Sequence, residues 1–298
     1  NSLAACTEGL ENTAVGQNSL NDLTTGDYNI AIGQNSLATL STGNSNVAVG
    51  VNALDACTTA SNNTAVGGGA LTDVTTGAGN CALGASAGVN VTTGDDNVSI
   101  GSEACEDLTT GSNNTCVGRL AGQSLTSGSN NLLLGNRAGR SDSPIGNLTS
   151  HANRICLGNN SIQELACLVS LTVTSDERDK TDFTNLNLGL DFVKALKPYT
   201  FKWDQRSKYV DWDTNPNTDL LTITNDGTHK QEQLDIGFKA QEVEALEKAA
   251  GYDKDNKSNL VTSLSEDGKS YGMKYEKLVP ILVKAIQELE AEVQALKG

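Results

Sequence analysis

The first 174 residues of this chain lack lysine and contain a single aromatic residue, Tyr28. The remaining residues hold every lysine, both tryptophans, all four phenylalanines and the other five tyrosines. This contrast in composition indicates that the sequence joins two kinds of protein near residue 175.

Other absences exclude several classes of function. No apolar run approaches the roughly 18 residues of a membrane span, so we predict no membrane insertion. The net charge of -15 argues against a nucleic-acid partner. The cysteines never have Cys-x-x-Cys spacing, and His151 and His229 have no neighbouring ligands, so we predict no metal and no other cofactor. The acidic residues before residue 175 form no recurring pair of the kind that glycosidases use.

A regular repeat of 17 residues fills the first part. A unit this short, with two turn glycines, predicts one coil of a β-solenoid with two short strands and two turns. We expect roughly nine coils spaced by about 4.8 Å, which make a rod of about 40 Å. An asparagine in each coil would form a hydrogen-bonded ladder. The pattern Asn-x-Ala-Val/Ile/Leu-Gly ends at Gly16, Gly33, Gly50, Gly67, Gly84, Gly101, Gly118 and Gly135.

The cysteines of the repeats occupy apolar columns. Cys6 and Cys57 replace a leucine or valine, Cys105 replaces another leucine, and Cys116 stands in the alanine column. A buried free thiol behaves as a small hydrophobe. We therefore predict free, structural cysteines rather than disulfides.

The period breaks once, where Gly158 follows Gly135 after 23 residues instead of 17. The six inserted residues lie in a segment that carries Arg137, Arg140 and His151. We predict a surface loop, with a small recognition knob as the alternative.

The repeats resemble those of two kinds of fibre. The Asn-x-Ala-Ile-Gly units are similar to the head repeats of trimeric autotransporter adhesins, which form a β-roll. The Asn-Thr-Ala-x-Gly and Thr-Thr-Gly arrays are similar to those of phage tail fibres. Either resemblance implies a homotrimer. Because the chain begins inside a repeat, at Asn1 and without an initiator methionine, we expect it to be the C-terminal part of a longer protein.

A strictly alternating pattern separates the two parts. It predicts a half-buried connecting strand over 161–174, between a mainly β solenoid shaft at 1–160 and a small α+β domain at 175–298. The apolar residues of the alternation are Cys167, Val169, Leu171 and Val173.

The second part reads as short elements that end in a long helix. We predict a helix over 189–198, a strand over 199–203, a polar loop or hairpin over 204–233, and a strand leading into a helix over 236–246. The last helix has apolar residues at alternating spacings of three and four, which predicts a coiled-coil seam of about three heptads. Valine or isoleucine at one seam position and leucine at the other favour a coiled coil of two helices. This preference conflicts with a trimer, so the number of helices in the coiled coil stays open. The seam residues are Val279, Leu282, Ile286, Leu289, Val293 and Leu296.

Four motifs of the second part occur in order: Ser-Asp-x-Arg-x-Lys, Leu-x-Pro-Tyr-x-Phe-x-Trp, Gly-Phe-x-Ala-Gln-Glu-Val, and Tyr-x-x-Leu-Val-Pro-Ile-Leu-Val-Lys. Over about 171–298 the sequence resembles the endosialidase-type intramolecular chaperone. The resemblance implies a domain that drives trimerisation and then removes itself by autoproteolysis. It implies cleavage of the Thr174–Ser175 bond, with Ser175 as nucleophile, Lys180 as general base, and supporting roles for Asp176 and Arg178.

The proposed base must come close to the proposed nucleophile. Five extended residues would separate Ser175 and Lys180 by about 16 Å, whereas five helical residues would separate them by about 7.5 Å. The segment must therefore form a compact turn, or the lysine must come from a neighbouring chain.

These observations predict the distal part of a phage tail fibre or tailspike in the virion, which binds a host surface receptor. It would be a serine peptidase of the Ser–Lys type that acts once, on itself. A bacterial cell-surface trimeric adhesin with the same modules, a non-cleaving structural fibre and a tailspike that degrades glycans are the alternatives.

Overall fold

The computed structural model of the protein describes residues 2–162, 164–166, 173, 175–212, 214–215, 218–256, 258–265 and 268–298. The chain divides into two units, Asn1–Ile162 and Gln163–Gly298. The predicted connecting strand falls mostly outside the described residues, including Cys167, Val169 and Leu171.

The first unit is a parallel β-solenoid, as predicted. Within residues 2–162, nine strands of three residues form one parallel sheet in sequence order. Each strand residue pairs with the residue 17 positions later, as Ala31 does with Ala48, and the last step spans the insertion. The strands are β1 (Thr13–Val15), β2 (Ile30–Ile32), β3 (Val47–Val49), β4 (Thr64–Val66), β5 (Cys81–Leu83), β6 (Val98–Ile100), β7 (Thr115–Val117), β8 (Leu132–Leu134) and β9 (Ile155–Leu157).

The prediction of two strands in each coil is wrong for residues 2–162, where each coil contributes one strand. The leucine-bearing side of the coil contains residues with positive φ, such as Asn18 at 58° and Leu20 at 48°. Left-handed residues cannot belong to an extended strand. The coils are nevertheless hydrogen-bonded there, because the Leu20 amide donates to the Ser36 carbonyl at 3.1 Å.

Asparagine and glycine columns hold adjacent coils together. Asn46 is fully buried, and its Nδ2 donates to Asn29 Oδ1 at 3.0 Å and to the Ala60 carbonyl at 2.9 Å. Its Oδ1 accepts from the Asn63 amide at 3.0 Å, so the predicted ladder is confirmed. A Cβ on Gly33, at φ +137°, would lie 2.4 Å from the Gly50 carbonyl oxygen. Only glycine permits this approach between coils.

The solenoid core contains a disulfide, which corrects one prediction about the cysteines. Cys105 and Cys116 are bonded, with Cα atoms 6.2 Å apart, within the range that a disulfide spans. Their columns face each other across a narrow core, where cysteines replace a leucine and an alanine. Cys6, Cys57, Cys81 and Cys156 are free among the described cysteines, as predicted for Cys6 and Cys57. Burial raises the pKa of the Cys57 thiol to about 11.

The insertion is a buried cap, so the prediction of a surface loop is wrong. Arg137 and Arg140 are only 4% and 5% exposed, which also argues against a recognition knob that contacts a receptor. Arg137 Nε donates to Asp142 Oδ2 at 2.9 Å. Leu148 is buried against the core, and its amide donates to the Gly139 carbonyl at 2.8 Å. The segment is therefore part of the folded stack between β8 and β9.

The second unit is a small α+β domain. Its described helices are α1 (Leu190–Ala195), α2 (Ala240–Ala249) and α3 (Leu278–Lys297). Two antiparallel pairs accompany them: β10 (Tyr199–Phe201) with β11 (Asp235–Gly237), and β12 (Thr262–Leu264) with β13 (Tyr271–Met273). The predicted helices and strands are therefore present. In the described residues of the predicted loop, 204–233, short 3₁₀-helices form at Arg206–Tyr209 and Leu220–Thr222.

The buried carboxylate of Glu247 links α2 by hydrogen bonds to the segment that leads into β12. Glu247 is fully buried, and its oxygens accept from the amides of Leu260, Val261 and Thr262 at 2.7, 2.6 and 3.0 Å. The Thr262 hydroxyl donates to the same carboxylate. Burying a carboxylate without hydrogen bonds would be costly, and here backbone donors satisfy it.

Helix α3 has one face in the core and an apolar stripe outside it. Leu278, Ile281 and Ala285 are buried, whereas the predicted seam is exposed from 39% at Val293 to 87% at Leu296. The helix is confirmed, and its assembly into a coiled coil stays a prediction. In the part of the chain that the structure describes, no helix combines the length and apolarity needed to cross a bilayer.

Candidate functional site

A compact turn follows the boundary between the two units. Residues Glu177–Asp179 form one turn of 3₁₀-helix, and Asp176 is its N-cap. The Asp176 carboxylate accepts from the Arg178 amide at 2.9 Å, which is why aspartate is favoured at this position. The Lys180 amide donates to the Glu177 carbonyl at 3.1 Å. The chain therefore folds back within six residues. This is the compact turn, one of the two alternatives that the sequence left open.

The two predicted supporting residues hold this turn together. Arg178 Nε lies 3.0 Å from Asp176 Oδ1, and its second terminal nitrogen lies 2.5 Å from Oδ2. These side-chain hydrogen bonds lower the pKa of the Asp176 carboxyl below its usual value. The Arg178 side chain is 88% exposed, and exposed ion pairs contribute little stability. Its effect is therefore on the shape of the turn.

The turn brings the predicted nucleophile and base together in one chain. Lys180 Nζ lies 2.5 Å from Ser175 Oγ and 3.2 Å from the Ser175 carbonyl oxygen. Both side chains are exposed. Thr174, the other residue of the predicted cleavage bond, lies outside the described residues.

This arrangement can support proton transfer from a serine hydroxyl. A neutral amine within hydrogen-bond reach of a hydroxyl can act as its general base. Removing solvent from an amine favours its neutral form. A surface that covered the exposed turn would therefore favour the reaction.

Two features of the second unit were missed from the sequence. Glu247 lies in a helix rich in charged residues, where nothing distinguishes a buried carboxylate from its exposed neighbours. A cleft lined by aromatic residues also lies between the two strand pairs, with Tyr199, Phe201, Trp203, Phe238 and Tyr275 in its wall. The Tyr-x-Phe-x-Trp motif was visible, but its convergence with residues near 238 and 275 depends on the fold. Among the described residues that line this cleft, none is a serine or an acidic residue.

No group of three or more potential metal-ligating side chains was found among the described residues.

Comparison with known proteins finds a family match within the second unit. Residues 175–252 match the family model described as the chaperone of endosialidase, which is a peptidase family. The match begins at Ser175 and includes the turn, α1, β10, β11 and α2. Neither the curated proteins nor the solved structures contain a match to this chain. The findings therefore support a tail-fibre-like protein, in which a β-solenoid is followed by a segment that matches the endosialidase chaperone family.

Proposed function

We propose that this chain is the distal part of a phage tail fibre or tailspike that cuts itself once, between Thr174 and Ser175. The domain at 175–298 would promote trimerisation and folding of the shaft and then be released. The observation that carries the proposal is the 2.5 Å separation of Lys180 Nζ and Ser175 Oγ, at the first residue of the family match.

The proposed reaction begins with attack of Ser175 Oγ on the carbonyl carbon of Thr174. The hydroxyl proton passes to the neutral amine of Lys180. The carbon–nitrogen bond then breaks as the Ser175 nitrogen takes a proton from the Lys180 ammonium. This step leaves an ester between Thr174 and Ser175 Oγ.

Water completes the reaction by hydrolysing the ester. The products are a carboxylate on Thr174 and a free amine and hydroxyl on Ser175. Ser175 becomes a chain terminus with no acyl group left to attack. The reaction therefore occurs once for each chain.

Timing of the cut follows from the exposure of the site. Ser175 and Lys180 are open to solvent in a single chain, and removal of solvent favours a neutral lysine. In the proposed homotrimer, a neighbouring chain would cover the turn. Cleavage would then follow assembly, and the exposed seam of α3 supports such an assembly.

The remaining shaft would stay in the virion and contact a host surface receptor. All charged residues of 1–162 lie outside the nine strands, and the turns therefore supply the polar contacts in this proposal.

Variants of the two reacting residues test the proposal. We expect Ser175→Ala and Lys180→Arg to leave the chain uncut, because the first removes the nucleophile and the second removes a base that can become neutral. The neighbouring Thr181→Ala and the exposed Lys194→Arg are matched controls that should be cut as the wild type is. The measurement is the fraction of cut chain over time in denaturing gels. Cleavage of Ser175→Ala at the wild-type rate would overturn the proposed mechanism.

A further inference from the structure

The solenoid sheet has an uncovered apolar face. The middle residue of each strand points into the core, and the flanking residues are exposed or half-buried. We call the first and third residues of β1–β9 the outer sheet face. Its third positions are apolar in every strand: Val15, Ile32, Val49, Val66, Leu83, Ile100, Val117, Leu134 and Leu157.

The first positions of the strands continue this apolar character. None of them is charged, and most are β-branched or otherwise apolar: Thr13, Ile30, Val47, Thr64, Cys81, Val98, Thr115, Leu132 and Ile155. The column two residues after the third strand position is not uniformly apolar. It contains Gln17, Gln34 and Arg119. The apolar character is therefore specific to the sheet.

The size and composition of this face are those of a possible contact surface. Nine strands at about 4.8 Å give a length of about 38 Å, and two side-chain columns give a width of about 10 Å. The resulting patch of about 400 Å² lies within the range of about 300–600 Å² of the largest apolar patch on a typical monomer, which is often functional. Parallel sheets are, moreover, nearly always covered on both faces.

A second copy of the chain fits this face better than an unrelated partner. A complementary surface must repeat at the same axial step as the coils, and every copy carries that repeat. Because all charged residues of 1–162 lie outside the strands, two such faces can meet without bringing like charges together. Closed assemblies of identical chains are also the commonest oligomers.

We propose that the outer sheet face is the surface through which copies of this chain associate along the shaft. The inference deepens the proposed assembly by assigning its shaft interface, and it does not require autoproteolysis. It involves residues in the first unit only.

A native cysteine reports on this interface. Cys81 is free and partly exposed in the single chain, and it lies in β5, the central strand of the nine found in residues 2–162. It therefore lies near the middle of the face whichever way two copies run. Cys6, also free and partly exposed, lies outside the strands and serves as a reference.

The experiment uses the full chain with Ser175→Ala, so that every sample is uncut. Maleimide labelling of each cysteine is followed by peptide mass spectrometry. We expect Cys81 to react at least about tenfold more slowly than Cys6, because partner chains cover it. A short bismaleimide should link Cys81 to Cys81 between copies.

Two double variants each add two negative charges, one pair on the outer sheet face and one pair elsewhere. Comparing them distinguishes loss of the interface from a general effect of added charge. Ile32→Asp with Leu83→Asp places charge on the outer sheet face, where these residues are 40% and 51% exposed. We expect this pair to raise Cys81 labelling about tenfold and to remove the cross-link. Leu10→Asp with Val51→Asp, at residues outside the strands that are 65% and 51% exposed, should leave both unchanged.

Buried Cys57 shows whether the solenoid is folded, since it should stay unlabelled in every sample. If the face variant unfolds, the labelling and cross-linking of the parent chain still decide the question. Labelling of Cys81 as fast as Cys6, without a cross-link in the parent chain, would overturn the proposal. Equal effects of the two double variants would overturn it as well.

Discussion

At the scale of single residues, the site depends on a small turn closed by its own side chains. Asp176 caps the turn, and Arg178 binds the cap carboxylate. This pair directs Lys180 back toward Ser175 without contacting either reacting atom in the described structure. Asp176 and Arg178 are therefore positioning residues in the proposed reaction.

Removing the cap should slow cleavage without unfolding the domain. We expect Asp176→Ala to lower the cleavage rate by about tenfold to a hundredfold, because loss of positioning weakens a proximity effect. The melting temperature should hardly change, because exposed ion pairs contribute little. Asp179→Ala, in the same turn and equally charge-changing, is the control for the gel time course. Equal rates in the two variants would contradict the positioning role.

The pKa of Asp176 limits how this turn responds to pH. Because Arg178 holds that pKa below its usual value of 3.8, the cap contributes fully above pH 3.8. It is lost only as the pH falls through the lower value of the folded chain. A change in cleavage rate near neutral pH would therefore not arise from protonation of the cap.

At the scale of elements, the shaft depends on its buried asparagine column. Asn63 donates to the Gly77 carbonyl at 2.9 Å, and its Oδ1 accepts from the Asn80 amide at 2.9 Å. Both of these partners are backbone groups within the stack. The asparagine column therefore supplies hydrogen bonds between adjacent coils, as a second strand in each coil would.

Truncating one member of the column should destabilise the shaft. We expect Asn63→Ala to cost about 2–5 kcal/mol, because each buried polar group left unsatisfied costs about 1–3 kcal/mol. Neighbouring Asn62 is exposed at φ 63°, and Asn62→Gly keeps that backbone conformation, so this control should change little. Chemical denaturation of the Ser175→Ala chain, followed by circular dichroism, measures the difference. A cost below that of the control would contradict the ladder's role.

The repeat made the solenoid predictable, because its glycines and asparagines recur with one period. The second strand in each coil was predicted wrongly because Leu20 and its equivalents look like strand residues, whereas their left-handed backbone depends on the stacked coil. The columns of the repeat showed which cysteines face inward but not that Cys105 and Cys116 face each other. The insertion resembled a surface loop because its burial depends on contacts that form only in the folded stack. The turn at 175–180 was one of two geometric alternatives, and the sequence could not choose between them.

At the scale of the whole molecule, each unit carries an apolar surface that a single chain leaves exposed. The first unit has the outer sheet face, and the second has the α3 seam. A chain with net charge -15 repels its copies at long range, so association must come from uncharged surfaces of this kind. Association of the copies would then prepare the exposed site for its single reaction.

The central claim is that the folded chain breaks its own Thr174–Ser175 bond, and intact-mass measurement tests it most directly. The purified full chain is folded, denatured and weighed beside Ser175→Ala. We expect two wild-type species, residues 1–174 and residues 175–298 with Ser175 as a free N-terminus, and only the full-length mass for the variant. A folded wild-type chain that keeps its full-length mass, or that breaks at another bond, would contradict the account.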